Sequence, residues 1–469
     1  MTKADIKKLE KELKYKPICV WDKLKPKERQ AAFDLAEDYK TFLNTAKTER
    51  EAVREIEARV SAAGFKPLAK QKKPGPLFSS LMGKTTAVAL PGKKPPSEGI
   101  RLIVSHIDCP RLDLKQNPLY EEAEVALLKT HYYGGIKKYQ WMSLPLALHG
   151  RVIKADGRAV DIVIGEADDD PVMTIADLLP HLAQKVQAEK KVSEAFPAEK
   201  LNLLIGSLPL GGEEVKERFK LAVLDLLQKK WGLIEADFMS AEFEAVPAGK
   251  ARDVGLDRGL IGAYGQDDRA CAYASLSALL ETKNPTYTCV ALFMDKEEIG
   301  SDGATSASSH FFEAFVADLL ALSGERPGLM AVRKALLASR ALSADGNAAL
   351  DPNFPEVHEP RNAAKLGYGP CLTKYTGSRG KYGASDASAE YMGWVRQVFE
   401  RAGIVWQAAE LGKVDEGGGG TVALHFAKHG MEIVDTGPAL LDMHSPFEIS
   451  SKADTYMTRQ AFRAFYEAG

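Results

Sequence analysis

Cysteine is sparse: Cys19, Cys109, Cys271, Cys289 and Cys371 are scattered through 469 residues, and no two form a CxxC pair. An odd number without close pairs excludes a disulfide framework and a structural zinc knuckle, and it fits reduced thiols. Charge of one sign is not in excess either, since 62 Lys and Arg face 64 Asp and Glu for a formal net charge of −2. A dedicated nucleic-acid surface normally brings a basic excess, so no nucleic-acid partner is expected. No run approaches the roughly 18 apolar residues of a membrane span. The opening "MTKADIKKLEKELKYKPICVWDK" is charged throughout and lacks the apolar centre of a secretory signal. These absences predict a soluble, cytoplasmic protein with no membrane partner. Phosphate chemistry is unsupported too: "GGGG" at Gly417–Gly420 precedes no Lys-Ser/Thr pair and reads as a tight turn leading into a helix.

What is present is ordinary in bulk and patterned in detail. The length suits two or three domains with a large core. From about Asp5 to Ala63 apolar residues such as Ala32, Leu35, Tyr39 and Leu43 recur at helical steps, predicting surface helices on a larger body. "TTAVALP" reads as a short apolar run, and "GIRLIVSHIDCP" as a buried strand ending at His106. Between about Leu112 and Ala248 the texture changes. "RVIKADGRAVDIVIG" alternates around Asp156-Gly157, a two-residue hairpin signal. Helices are expected over "DPVMTIADLLPHLAQKVQAEKK" and "GGEEVKERFKLAVLDLLQKKWG", and "DFMSAEFEAVPA" alternates again as a strand. This block reads as an inserted domain. From Arg252 onward strands such as "YTCVALFMD", "ASRALSAD" and "GMEIVDTGPALLDMHS" alternate with helices such as "DDRACAYASLSALLET". That rhythm implies an α/β layer structure around a largely parallel sheet.

Polar residues gather where the apolar runs stop: His106 and Asp108, Asp267 and Asp268, Glu297 and Glu298, Asp345, and His444. In open α/β sheets, ligands collect beyond the carboxyl ends of the strands. Each member has a plain reading of its own. The Asp pair could start a helix, the Glu pair could face solvent, Asp345 could open a turn with Gly346, and His444 could be a core histidine. Their joint occurrence at strand and helix ends favours a shared site. The set suits two metal ions, since catalytic zinc takes His nitrogen and carboxylate oxygen and keeps an open position. His106, Asp267 and Asp345 are assigned to one ion, and Asp267, Glu298 and His444 to the other. Asp108 would accept the second ring N–H of His106 and fix its tautomer. Glu297 is left free as general base for a water between cations about 3.5–4 Å apart. Two divalent ions per subunit are expected, zinc first, with cobalt or manganese also compatible.

The motifs "SHIDCP", "YGQDDRACA", "DKEEIGS", "SADGNAALDPNF" and "LDMHSPFE" carry a resemblance over nearly the whole length. In order and with a large insertion, the chain resembles the aspartyl aminopeptidase and vacuolar aminopeptidase I family of co-catalytic zinc metallopeptidases, in its bacterial aminopeptidase 1-like subgroup. The resemblance implies a zinc-peptidase-like three-layer α/β/α domain with a mixed, largely parallel sheet in residues 1–111 and 249–469. A smaller β-rich dimerisation domain would interrupt it at 112–248. It implies a homododecamer built from dimers, acting on peptides, with the ligands and base as assigned above.

Two departures bear on substrate choice. In "YYGGIKKYQWMSLPLALHG" Tyr139 stands near a family histidine, and Ala348 and Asp351 stand where two others occur. Lys374 in "LTKYTGSRGKYG" lies where a family lysine contacts substrate. Asp351 could turn preference toward basic or neutral side chains. The predicted activity is release of N-terminal residues from peptides. The alternatives are a carboxypeptidase or N-acyl amino acid deacylase using the same core, and a catalytically silent cargo assembly.

Overall fold

Strands that are apolar on both faces belong inside a sheet covered by helices on each side. In the computed structural model, which describes residues 1–469, Ile100–His106 and Thr288–Met294 are buried at every position. They pair in parallel, with Thr288 opposite Ile100 and Met294 opposite His106. Arg340–Ala344 and Glu432–Gly437 continue the parallel pairing. These four strands form the centre of a nine-stranded sheet. Thr85–Leu90 joins one side antiparallel and Cys371–Thr373 the other. All four central strands therefore end on one edge.

Helices cover both faces. On one side Pro26–Thr45, Glu49–Ala62, Gln266–Glu281, Ala389–Arg401 and Lys452–Glu467 pack around Tyr39, Phe42, Tyr273, Phe293, Phe399 and Phe462. The Ala-rich helix Gln266–Glu281 is buried nearly all round, as expected of a helix with no polar face. On the other side Phe311–Leu322, Leu329–Leu337 and Ala423–Ala427 enclose Phe312, Phe315 and Phe426. The expected α/β/α layering is observed. The helical reading of Asp5–Ala63 also holds, although Lys3–Leu13 buries none of its side chains.

Residues from Arg111 to Pro247 build a separate six-stranded antiparallel sheet. Helix Arg218–Trp231 lies on it, over a core that includes Trp141, Phe219, Phe238 and Phe243. A hairpin forms around Asp156-Gly157, pairing Leu148 with Ile164 through Ile153 with Ala159, but its turn is longer than the two residues read: the Lys154 N–H donates to the Arg158 carbonyl, leaving Ala155, Asp156 and Gly157 between them. The expected helix over 170–191 does not form as such. Only Pro180–Ala183 and the π turn that continues it to Ala188 are helical. Upstream, Met173 and Thr174 bridge to Leu146 and Leu204. Pro180, in the interior of the expected span, forbids one continuous helix, and the apolar spacing there is left partly in water, with Leu179 and Leu182 exposed.

Candidate active site

The shared edge of the central strands delivers the predicted residues to one cleft. His106 is the last residue of its strand, and Asp345 follows the last residue of Arg340–Ala344. Glu297 and Glu298 open a single 3-10 turn just after Thr288–Met294. That turn is entered through Lys296 at φ 69°, and His444 also lies in the left-handed region at φ 66°. Strained backbone of this kind persists where surrounding contacts over-determine it. Asp267 sits at the start of Gln266–Glu281 with non-helical dihedrals, and the Asp267–Asp268 peptide is cis.

Two groups of ligand atoms result, His106–Asp267–Asp345 and Asp267–Glu298–His444, each with its atoms within 4.8 Å of one another. His444 Nε2 lies 3.3 Å from Asp267 Oδ2 and 3.4 Å from Glu298 Oε2. His106 Nε2 lies 3.7 Å from Asp267 Oδ1 and 4.0 Å from Glu297 Oε2. Both histidines spend Nδ1 on a backbone carbonyl at 2.9 Å, His106 on Asp108 and His444 on Gly135. This leaves each Nε2 lone pair facing the carboxylates, as a metal ligand requires. Gly135 reaches the site because Gly134, at φ 72°, brings the loop close: a Cβ there would lie 3.3 Å from Glu298 Cβ.

Asp108 does something other than expected. Its carbonyl, not its carboxylate, is the nearest partner of the His106 ring; the carboxylate is 3.4 Å away. The carboxylate instead accepts the backbone N–H groups of Glu297 at 3.1 Å and Glu298 at 3.2 Å, and the Tyr133 hydroxyl at 2.8 Å. The turn carrying both glutamates folds back over it. Asp268 is no helix cap either: it is fully buried and accepts the His106 N–H.

Glu448 was not singled out by the sequence reading, although it ends the motif "LDMHSPFE". It is buried, and its two oxygens accept the His444 N–H at 2.7 Å and the Asp267 N–H at 3.0 Å. The structure leaves three other candidates outside the cleft lining of a single chain. Tyr139 is exposed and packs on Phe196. Asp351 accepts the Asn353 N–H, and Lys374 is half-exposed, 3.8 Å from Asp386.

The electrostatics favour cations. Burial, reinforced by neighbouring carboxylates, pushes Glu298 and Asp345 well above the usual carboxylate range and Glu297 up to about 7. Asp267 is also penalised by burial, but the His106 and His444 rings beside it hold it low. His444 is raised to about 10, Asp267 and Glu298 outweighing the effect of burial. Asp267 Oδ1 and Glu298 Oε1 are buried with no hydrogen-bond partner. Crowded, unpartnered carboxylate oxygens beside two imidazole lone pairs form a donor set that fits zinc or a similar divalent ion.

Known proteins resemble this chain over nearly its whole length. The family described as aminopeptidase I zinc metalloprotease (M18) matches residues 42–466. A probable M18 family aminopeptidase 1 of Clostridium acetobutylicum is 49% identical over 452 residues, 95% of this chain and 97% of that protein. The crystal structure of an M18-family aminopeptidase from Thermotoga maritima superposes with a TM-score of 0.93 at 46% identity, covering 97% of this chain and all of that one. At 20% identity the S. cerevisiae mApe1 dodecamer shares the fold, with a TM-score of 0.75 over 92% of this chain and 96% of its own. By family match, sequence identity and fold alike, the chain belongs to the aminopeptidase I zinc metalloprotease family, M18.

Proposed function

We propose that this chain removes N-terminal residues from peptides with two divalent ions, zinc first, and with Glu297 as the general base. One observation supports the reading above others: Asp267 belongs to both ligand groups, while Glu297 lies beside them and belongs to neither. His106, Asp267 and Asp345 would hold one ion, and Asp267, Glu298 and His444 the other. Ions held there supply Lewis acidity and a water acidic enough to be deprotonated near neutral pH. The Glu297 carboxylate takes the proton of the attacking water and returns it to the leaving amine. Asp108 keeps Glu297 and Glu298 on one turn, so that the base stays at a fixed distance from the ligand next to it. The acidic lining gives the free α-amine of a substrate its place, which confines cleavage to the first peptide bond.

Assembly and setting belong to the same reading. The dodecameric relative shares the fold, and we propose a homododecamer of dimers joined through the sheet of 112–248. The five unpaired thiols suit a cytoplasmic location, and no helix is long and apolar enough to cross a membrane. The test is Glu297→Gln. The variant should bind the same metal equivalents as wild type, while kcat falls by about 10²–10⁴-fold. Near wild-type turnover would remove Glu297 from the role of base. Parallel assays on amino-terminal, carboxy-terminal and N-acyl substrates decide which bond is cut.

A further inference from the structure

Away from the ion-holding carboxylates the cleft, about 490 Å³ in volume, has a second polar end. Asp435 lies in its floor, opposite Ser343 on one neighbouring strand and Thr373 on the other. The Thr421 hydroxyl donates to Asp435 Oδ1 at 2.7 Å, and the Asn347 amide donates to Thr373 Oγ1 at 2.8 Å. Three atoms remain buried without a partner: Asp435 Oδ2, Asn347 Oδ1 and Thr376 Oγ1. Asp435 and Asn347 are only 3% and 4% exposed. A carboxylate and an amide oxygen only accept, so what they lack is a donor. The hydroxyls of Ser343, opposite Asp435 in register, and of Thr376 are the unpaired protein donors at this end, and Ser343 stands close enough to Asp435 to favour its charged form.

No Lys or Arg lines the cleft. Strand alternation explains why: Thr373 faces inward beside Asp435, and Lys374, one residue on, turns out toward Asp386. Leu411, Leu424 and Met443 add apolar wall, which suits the methylene stem of a long polar side chain.

We infer that this end of the cleft receives the first side chain of the substrate, and that it takes a cationic one, that of an N-terminal lysine, ornithine or arginine. The inference rests on the aminopeptidase reading above. Burial raises the Asp435 carboxyl to about 6, which still leaves it ionised at neutral pH. Its Oδ2 then pairs with the incoming ammonium or guanidinium, while Thr421 keeps Oδ1 in place.

The experiment compares kcat/KM of the zinc-loaded enzyme on lysyl, arginyl, leucyl and glutamyl fluorogenic amides. Lysyl and arginyl substrates should exceed leucyl by about tenfold or more, with glutamyl last. Asp435→Asn should cut the lysyl-to-leucyl ratio by about tenfold. Thr373→Lys, which installs a resident cation beside Asp435, should cut the same ratio and raise glutamyl relative to lysyl. Zinc content and thermal midpoint of each variant establish that it is folded. Equal rates or a leucyl or glutamyl preference in the wild type would overturn the subsite. So would a cation preference that survives both substitutions, which would reduce Asp435 to a support for Thr421. Absence of turnover on every aminoacyl amide would overturn the aminopeptidase reading itself.

Discussion

Glu448→Gln probes the ligand shell from behind. The Glu448 carboxylate grips two backbone N–H groups 177 positions apart in sequence, at Asp267 and His444. Glutamine keeps one acceptor oxygen and sets an NH₂ group against the other N–H, leaving that buried donor unpaired. A hydrogen bond to a charged acceptor contributes about 1.5–3 kcal/mol. The bond exists with or without bound metal, so only part of its loss reaches metal affinity. Partners behind metal ligands typically change affinity by about 10–100-fold, or about 1.4–2.8 kcal/mol at roughly 1.4 kcal/mol per tenfold. Zinc titration against a chromophoric chelator at neutral pH measures this directly, with Glu297→Gln as the control that should keep wild-type affinity. The more weakened ion should be the one held by His444, since both residues anchored by Glu448, His444 and Asp267, belong to that group and either lost bond falls on it. A superimposable titration curve for Glu448→Gln would refute the idea that backbone anchoring sets affinity here.

Dialysis against a chelator should abolish turnover and lower the thermal midpoint; zinc at 100 times its Kd should restore about 2.7 kcal/mol per site, read by calorimetry. His149, buried on the inserted sheet, has Nδ1 2.7 Å from Glu51 and Nε2 3.1 Å from Glu166, with Lys47 on Glu166 and Glu244 opposite in register. Burial opposes its protonation, but Glu166 and Glu51 win and raise it above 6.5. Its stabilisation is therefore full below about pH 6.5 and is lost as pH rises through the higher folded value. Urea midpoints from acid to alkaline pH should show this slope, and His149→Gln should flatten it. Phe293→Ala, at a fully buried position of the central sheet, should cost about 3–5 kcal/mol, seen as a lower urea midpoint at unchanged slope.

Much of this site could be read from the chain because the candidate ligands lie where apolar runs end. His106 and Asp345 could be placed once their strands were recognised, and the parallel order of those strands brought them to one edge. Contacts made by backbone could not be read the same way. The exchange of roles within Asp108, carbonyl to the His106 ring and carboxylate to the Glu297 turn, depends on how that turn folds back. Glu448 looked like any acid four residues after a histidine until the loop closed its oxygens on two N–H groups. Lys374 was singled out by motif position, whereas the pleat of Cys371–Thr373 puts Thr373 on the cleft side. The expected helix over 170–191 followed apolar spacing that Pro180 overrules.

The double membership of Asp267 has a thermodynamic consequence. On the two-ion reading, an ion entering either group would fix the orientation of a carboxylate that the other group also uses, so the two loading steps would be coupled. Stoichiometric titration should give an isotherm that departs from two identical sites, and Asp267→Asn should disturb both equivalents where Asp345→Asn disturbs chiefly one. At limiting zinc, a half-filled species would then form a distinct chemical population whose abundance is set by that linkage.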